Sequence, residues 1–131
     1  MKLFLFIFYL LTFAACRDHA DLAGQLKRIN DAYRARNVGQ VLTEFDPNVQ
    51  FHTNIGRMRT QAGFNEMRTW ASWLGQNNRV EFTLVRKTIG ATVTQGDYRM
   101  TYFDGRRQSV EHGTIFVPKT TGKINKIIRT P

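Results

Sequence analysis

The hydrophobic period changes near Arg79, and that change constrains the fold more than any other feature of the sequence. Before it, apolar residues recur every three or four positions: Leu22, Leu26, Ile29 and Tyr33 draw one stripe along a helix from Asp18 to Arg36. After it they alternate, Val80, Phe82 and Leu84 against Glu81, Thr83 and Val85, as on a half-buried strand. Three helices with short strands between them, followed by a run of strands alone, predict an α+β layout.

Within the helical part, Asn37 is placed to cap a short second helix, with Gln40 three residues on and Val38, Val41, Leu42 and Phe45 as its buried face. Asp46-Pro47-Asn48 is expected to end it. Val49 to Thr53 reads as a short strand, and Ile55 to Arg59 as another. Thr60 is expected to cap a third helix through Leu74, with Phe64, Met67, Ala71 and Leu74 on one face, Trp70 beside them and Trp73 on the opposite side.

The strand part runs from Arg79 to Ile89 and is broken at Gly90. Gln95-Gly96-Asp97 reads as a turn before a strand from Tyr98 to Phe103. Asp104-Gly105 predicts a type I′ hairpin, whose return strand is Arg106 to Val117. Pro118 to Gly122 turns into a last strand, Lys123 to Arg129. These four make an antiparallel meander.

The chain opens Met1-Lys2 and then runs without charge from Leu3 to Cys16, which matches an export signal over residues 1–15. The run is too short to span a bilayer, which takes about 20 apolar residues. Phe13-Ala14-Ala15-Cys16 resembles the lipobox of bacterial lipoproteins, with Phe13 where Leu is usual. Cys16 is the chain's one cysteine, so no internal disulfide forms; lipidation accounts for the thiol, the alternative being a plain cleavable signal that leaves it free near the new N-terminus. The sequence thus predicts a lipid-anchored membrane protein of the bacterial cell envelope, facing the periplasm or exterior, with residues 16–131 as a single domain.

Residues 16–131 hold 18 Lys plus Arg against 10 Asp plus Glu, a formal charge of +8. Such an excess favours anionic partners. The basic residues are scattered in runs of two at most, so no nucleic-acid groove is expected.

The order of elements, with the helix Leu26–Arg36, the segment Val38–Phe45 followed by Asp46-Pro47-Asn48-Val49-Gln50-Phe51, and the closing Gly122-Lys123-Ile124, resembles the nuclear transport factor 2-like superfamily and its SnoaL-like branch. The resemblance covers nearly all of Asp18–Thr130. It implies a cone: a strongly curved antiparallel sheet wrapped around three N-terminal helices, open to an apolar pocket. Its members include isomerases, dehydratases, hydrolases and cyclases beside binding and assembly domains, so the fold does not decide the activity. The isomerase branch uses a Tyr and an Asp at the places nearest to Ile29 and Phe51 here. Neither side chain can transfer a proton, so that mechanism does not carry over.

The candidates for acid–base chemistry are then His112 and Glu111 on the long return strand and His52 on the first strand. Strand alternation puts Glu111 and His112 on opposite faces unless Gly113 introduces a bulge, and puts His52 opposite Phe51. Tyr33, Phe51, Trp70, Trp73, Tyr98 and Tyr102 are the candidate ligand-binding residues, with Trp73 and Tyr102 foremost, and Arg57 or Arg99 as a cation for an anionic ligand. The three histidines show no metal-ligand spacing, and no phosphate loop, dinucleotide fingerprint or catalytic triad order is present, so neither metal nor cofactor is expected. The expectation is a lipid-anchored, ligand-binding homodimer without assigned catalysis. The alternatives are a small acid–base enzyme using His112 or Glu111, and a self-association domain.

Overall fold

The computed structural model describes residues 21–76 and 79–131. The expected export signal over residues 1–15, with Cys16 and His19, lies outside these residues. Helix α1 (Leu22–Arg34) begins at Asp21, whose carboxylate accepts the Gly24 N–H at 2.8 Å. It buries Leu22, Leu26, Ile29 and Tyr33, the stripe expected from the sequence, and Ala32 beside them. Helix α2 (Val38–Leu42) is capped by Asn37, whose side-chain oxygen accepts the Gln40 N–H at 3.1 Å.

Phe45 does not belong to α2. It opens strand β1 (Phe45–Ile55), and Asp46-Pro47-Asn48 lies within that strand. The ladder with the neighbouring strand shifts register between Phe45 and Gln50, and this irregularity takes in Pro47, which has no N–H to give. Thr60 likewise caps no helix. It sits in β2 (Met58–Ala62), paired antiparallel with β1, and its hydroxyl donates to the Thr53 carbonyl at 3.4 Å. Helix α3 (Phe64–Gly75) starts instead after Gly63, whose N–H donates to the Glu66 carboxylate at 3.0 Å.

Strands β3 (Glu81–Ile89), β4 (Val93–Phe103), β5 (Gln108–Pro118) and β6 (Ile124–Thr130) form the expected antiparallel meander. Strand β1 then pairs parallel to β6, so the sheet is mixed, not antiparallel throughout, in the order β2-β1-β6-β5-β4-β3. Gln95-Gly96-Asp97 is no turn but the middle of β4. A Cβ at Gly96 would stand 2.7 Å from Leu22 Cδ1, so the glycine serves the close approach of α1 to the sheet. The β4–β5 turn is not type I′ either, because only Gly105, at φ 95°, is left-handed there. The Asp104 carboxylate closes the turn by accepting the N–H groups of Arg106 and Arg107, each at 3.0 Å.

The helices fill the inner face of the curved sheet. Met67 and Leu74 of α3 meet Met100, Ile115, Ile124 and Ile127 in one core, all essentially inaccessible. Each such side chain contributes about 1.5–3 kcal/mol through burial. Asn30 closes the free edge of β3: its side-chain amide donates to the Phe82 carbonyl at 2.9 Å and its oxygen accepts the Phe82 N–H at 2.7 Å.

The domain has two distinct ends. At one, the start of α1 meets the β5–β6 and β3–β4 turns: Gln25 Nε2 donates to the Gly122 carbonyl at 3.1 Å, and the Lys119 N–H to the Thr92 carbonyl at 2.9 Å. At the other lie the end of α1, the β4–β5 turn and, because β1 runs parallel to β6, the β1–β2 turn.

Candidate functional site

Side chains alternate along β5, so Val110 and His112 face outward and Glu111 faces the helices. The β4–β5 register runs unbroken past Gly113, and no bulge turns His112 inward. Glu111 is 1% exposed. Across the sheet, Arg129 of β6 reaches it with two bonds: Nε donates to Oε1 at 3.0 Å and Nη2 to Oε2 at 2.8 Å. This fork matches the planar guanidinium to the carboxylate. The Arg129 guanidinium also lies 4.9 Å from the Trp70 ring centroid and 5.9 Å from that of Phe51, and these two rings pack at 5.5 Å. A buried carboxylate is thus neutralised by a cation that itself rests against two adjoining aromatic rings.

Tyr98 lies beside this pair. Its hydroxyl occupies the space where a Gly113 Cβ would stand. Tyr98 Oη and Trp70 Nε1 are both buried without a hydrogen-bond partner among the described residues. Burial pushes the Tyr98 phenol far above its ordinary range, the Glu111 charge adds to the shift, and Arg129 opposes it. Burial does the same to Tyr33, whose hydroxyl donates to the Ala71 carbonyl at 3.2 Å. Tyr102 is raised chiefly by partial burial and then by Glu111.

The three expected acid–base residues therefore do not converge. Only Glu111 enters the cone, and each of its oxygens is already bonded. His112 stands on the outer face, opposite Arg99 in the ladder, at a shallow cleft of 340 Å³ shared with Val85, Asp97 and Thr114. His52 is also on the outer face, its Nε2 3.3 Å from Gln50 Oε1. Partial burial and then the Lys126 charge hold the His52 imidazole below its usual value.

Of the six aromatic candidates, Tyr33, Phe51, Trp70 and Tyr98 are buried in the core. Trp73, 43% exposed, meets Tyr102 edge to face at 5.4 Å. Arg57 sits in the exposed β1–β2 turn and Arg99 on the outer face, so neither supplies the cation inside the cone. Arg129, which does, carries no local signal: it is one alternating position of a short strand. No cluster of His, Cys, Asp or Glu able to hold a metal occurs among the described residues, and none of their helices is long and apolar enough to cross a membrane.

A larger cleft, of 610 Å³, opens outside the cone at the corner where α1 ends. Arg34, Arg79, Val80, Glu81, Phe103 and Gln108 line it. The Arg79 guanidinium lies 5.9 Å from the Phe103 ring centroid, and Arg34 shares Asp31 through Nη1 at 3.0 Å. Sequence reading misses this cleft because its walls come from a helix end, a strand entry and both arms of a hairpin. The cross-strand pair Phe103–Gln108 becomes visible only once the register is known.

No family model matches the sequence, and no curated protein matches it. Solved structures match the fold. The chain is similar to an NTF-2 like protein of unknown function from Shewanella oneidensis MR-1, at 12% identity and TM-score 0.66, over 84% of this chain and 96% of that one. It is similar to another from Shewanella baltica OS155, at 11% identity and TM-score 0.64, over 92% and 94%. Bal32a from a soil-derived mobile gene cassette aligns at 15% identity and TM-score 0.61, over 88% and 89%. The chain has the NTF2-like fold: a curved mixed sheet of six strands closed over three helices. At these identities the likeness establishes the fold and leaves function to the sites.

Proposed function

We propose that this is a lipid-anchored envelope protein whose NTF2-like domain binds a small amphiphilic anion in the corner cleft and does no chemistry of its own. The observation that carries the reading is the make-up of that cleft. Two guanidiniums, Arg34 and Arg79, stand beside an apolar wall of Val80 and Phe103 in a volume of 610 Å³. Ligand pockets run from roughly 300 to 1,000 Å³ and combine an apolar lining with a few polar groups. Glu81, which also lines the cleft, selects against ligands that fill it with negative charge. Binding is favoured over catalysis because Glu111 is engaged by Arg129 and His52 and His112 face away from it. Export and acylation of Cys16 hold the domain at the membrane, and pairing of two copies through the outer sheet face, where Val110 is exposed, belongs to the same reading.

Native mass spectrometry of the protein released from the membranes of its own cells tests the proposal. A retained small-molecule mass, lost from an Arg79→Glu, Phe103→Ala variant that still folds, is the expected result. Protein that carries only its acyl chains, or a ligand that survives the double substitution, would overturn it.

A further inference from the structure

We infer that the end of the domain where α1 begins is a membrane-contact surface, and that the β3–β4 hairpin tip rests in the headgroup layer of an anionic bilayer. The inference rests on the proposed acylation of Cys16, and adds which face of the domain meets the lipid.

Placement supplies the first argument. Leu22 packs against Gly96, Gln25 bonds the Gly122 carbonyl, and Lys119 bonds the Thr92 carbonyl. The chain thus enters the domain between the β3–β4 and β5–β6 turns. Asp21 follows Cys16 by five residues, which reach at most about 18 Å even when fully extended. An acyl chain on Cys16 therefore keeps this end at the bilayer.

Chemistry supplies the second. Ile89, 61% exposed, leads into the β3–β4 turn, and Val85, 64% exposed, stands behind it on the same strand. Arg86 and Lys87 lie between them in the strand, and Lys119 and Lys123 stand on the adjoining β5–β6 turn. None of these four cations forms a salt bridge among the described residues. An apolar tip ringed by uncompensated cations complements acyl chains below and anionic headgroups around them.

The β1–β2 tip has similar chemistry, with Ile55 and Met58 exposed beside Arg57 and Arg59, but it lies at the opposite end. Strands of this length separate the two ends by roughly 30 Å. With the tethered end on the bilayer and the long axis of the sheet upright, the second tip points away from it, so it is a built-in control for this orientation.

The test uses the acylated full-length protein. Acylation blocks the sole native thiol, so Ile89→Cys and Met58→Cys each offer one site for an environment-sensitive NBD fluorophore. In phosphatidylglycerol-rich vesicles, the probe at position 89 should shift to the blue and be quenched at least twofold by nitroxide-labelled lipid. The probe at 58 should stay water-like. Lys87→Glu, Lys119→Glu and Lys123→Glu together, or neutral phosphatidylcholine vesicles, should at least halve the quenching at 89. A water-like probe at 89, or equal quenching at 58, would overturn the assignment. So would a blue shift at 89 in the vesicles that nitroxide-labelled lipid does not quench, which would mean that a second copy covers the tip. Labelling of the unsubstituted protein at Cys16 would refute the anchor itself, separately from the hairpin.

Discussion

Both carboxylate oxygens of Glu111 are held by the single guanidinium of Arg129, at 3.0 and 2.8 Å, across two neighbouring strands inside the cone. Such a pair is expensive to split and cheap to replace. Its charges balance one another, but either one alone is stranded in a dry interior.

Arg129→Met should therefore cost about 3–5 kcal/mol of stability, because it leaves Glu111 uncompensated. Glu111→Leu combined with Arg129→Met should recover most of that loss. Urea denaturation of the wild type, both single variants and the double variant measures the coupling. Additive effects would show that the pair contributes nothing as a unit.

The two bonds from Asn30 to the Phe82 backbone predict a local effect. Asn30→Ala removes both and should destabilise the protein by about 1–3 kcal/mol, with Phe82 left partly unsatisfied at the sheet edge. Hydrogen exchange at the Phe82 amide should accelerate more than at Met100 in the adjacent strand. Equal acceleration throughout would mean a global change instead.

Tyr33 and Tyr98 are raised above the ordinary tyrosine value of about 10 by burial. Below that pH both the folded and unfolded chains hold these protons, and stability is unaffected. Above it the unfolded chain releases protons that the folded protein retains, so stability falls as pH rises. In an alkaline absorbance titration these two phenols should ionise together with unfolding, at one shared midpoint. A smooth titration of folded protein would contradict their burial.

The corner cleft should take up 8-anilinonaphthalene-1-sulfonate, an aryl sulfonate used here as a probe. Arg79→Glu should weaken its binding roughly tenfold, equivalent to about 1.4 kcal/mol, without shifting Tm by more than about 2 °C. Arg99→Glu, on the outer face, should leave the affinity unchanged. Equal losses in the two variants would mean that general charge, not the cleft, recruits the probe.

Features with a local cause could be read directly from the residues. The α1 stripe, the Asn37 cap and the four-strand meander all follow from spacing and propensity. Features decided by distant partners could not. Gly96 reads as a turn residue until Leu22 is known to pack against it. Phe45 reads as a helical residue until β6 supplies a strand partner, Ile124, opposite it. At the site the same division holds. Alternation correctly separates Glu111 from His112, but nothing near position 129 announces that its arginine crosses the sheet to Glu111. The corner cleft is less legible still, since residues as far apart as Arg34 and Gln108 line it.

The side chain of Asn30 imitates one residue of a seventh strand. A free β-edge is a template on which further copies can stack, and proteins held at high local concentration are the most exposed to that hazard. By occupying the Phe82 backbone, Asn30 caps the growing end of the sheet at the point where β3 is most deeply buried. One amide thus denies an incoming strand the Phe82 backbone, an effect on association separate from its share in folding stability.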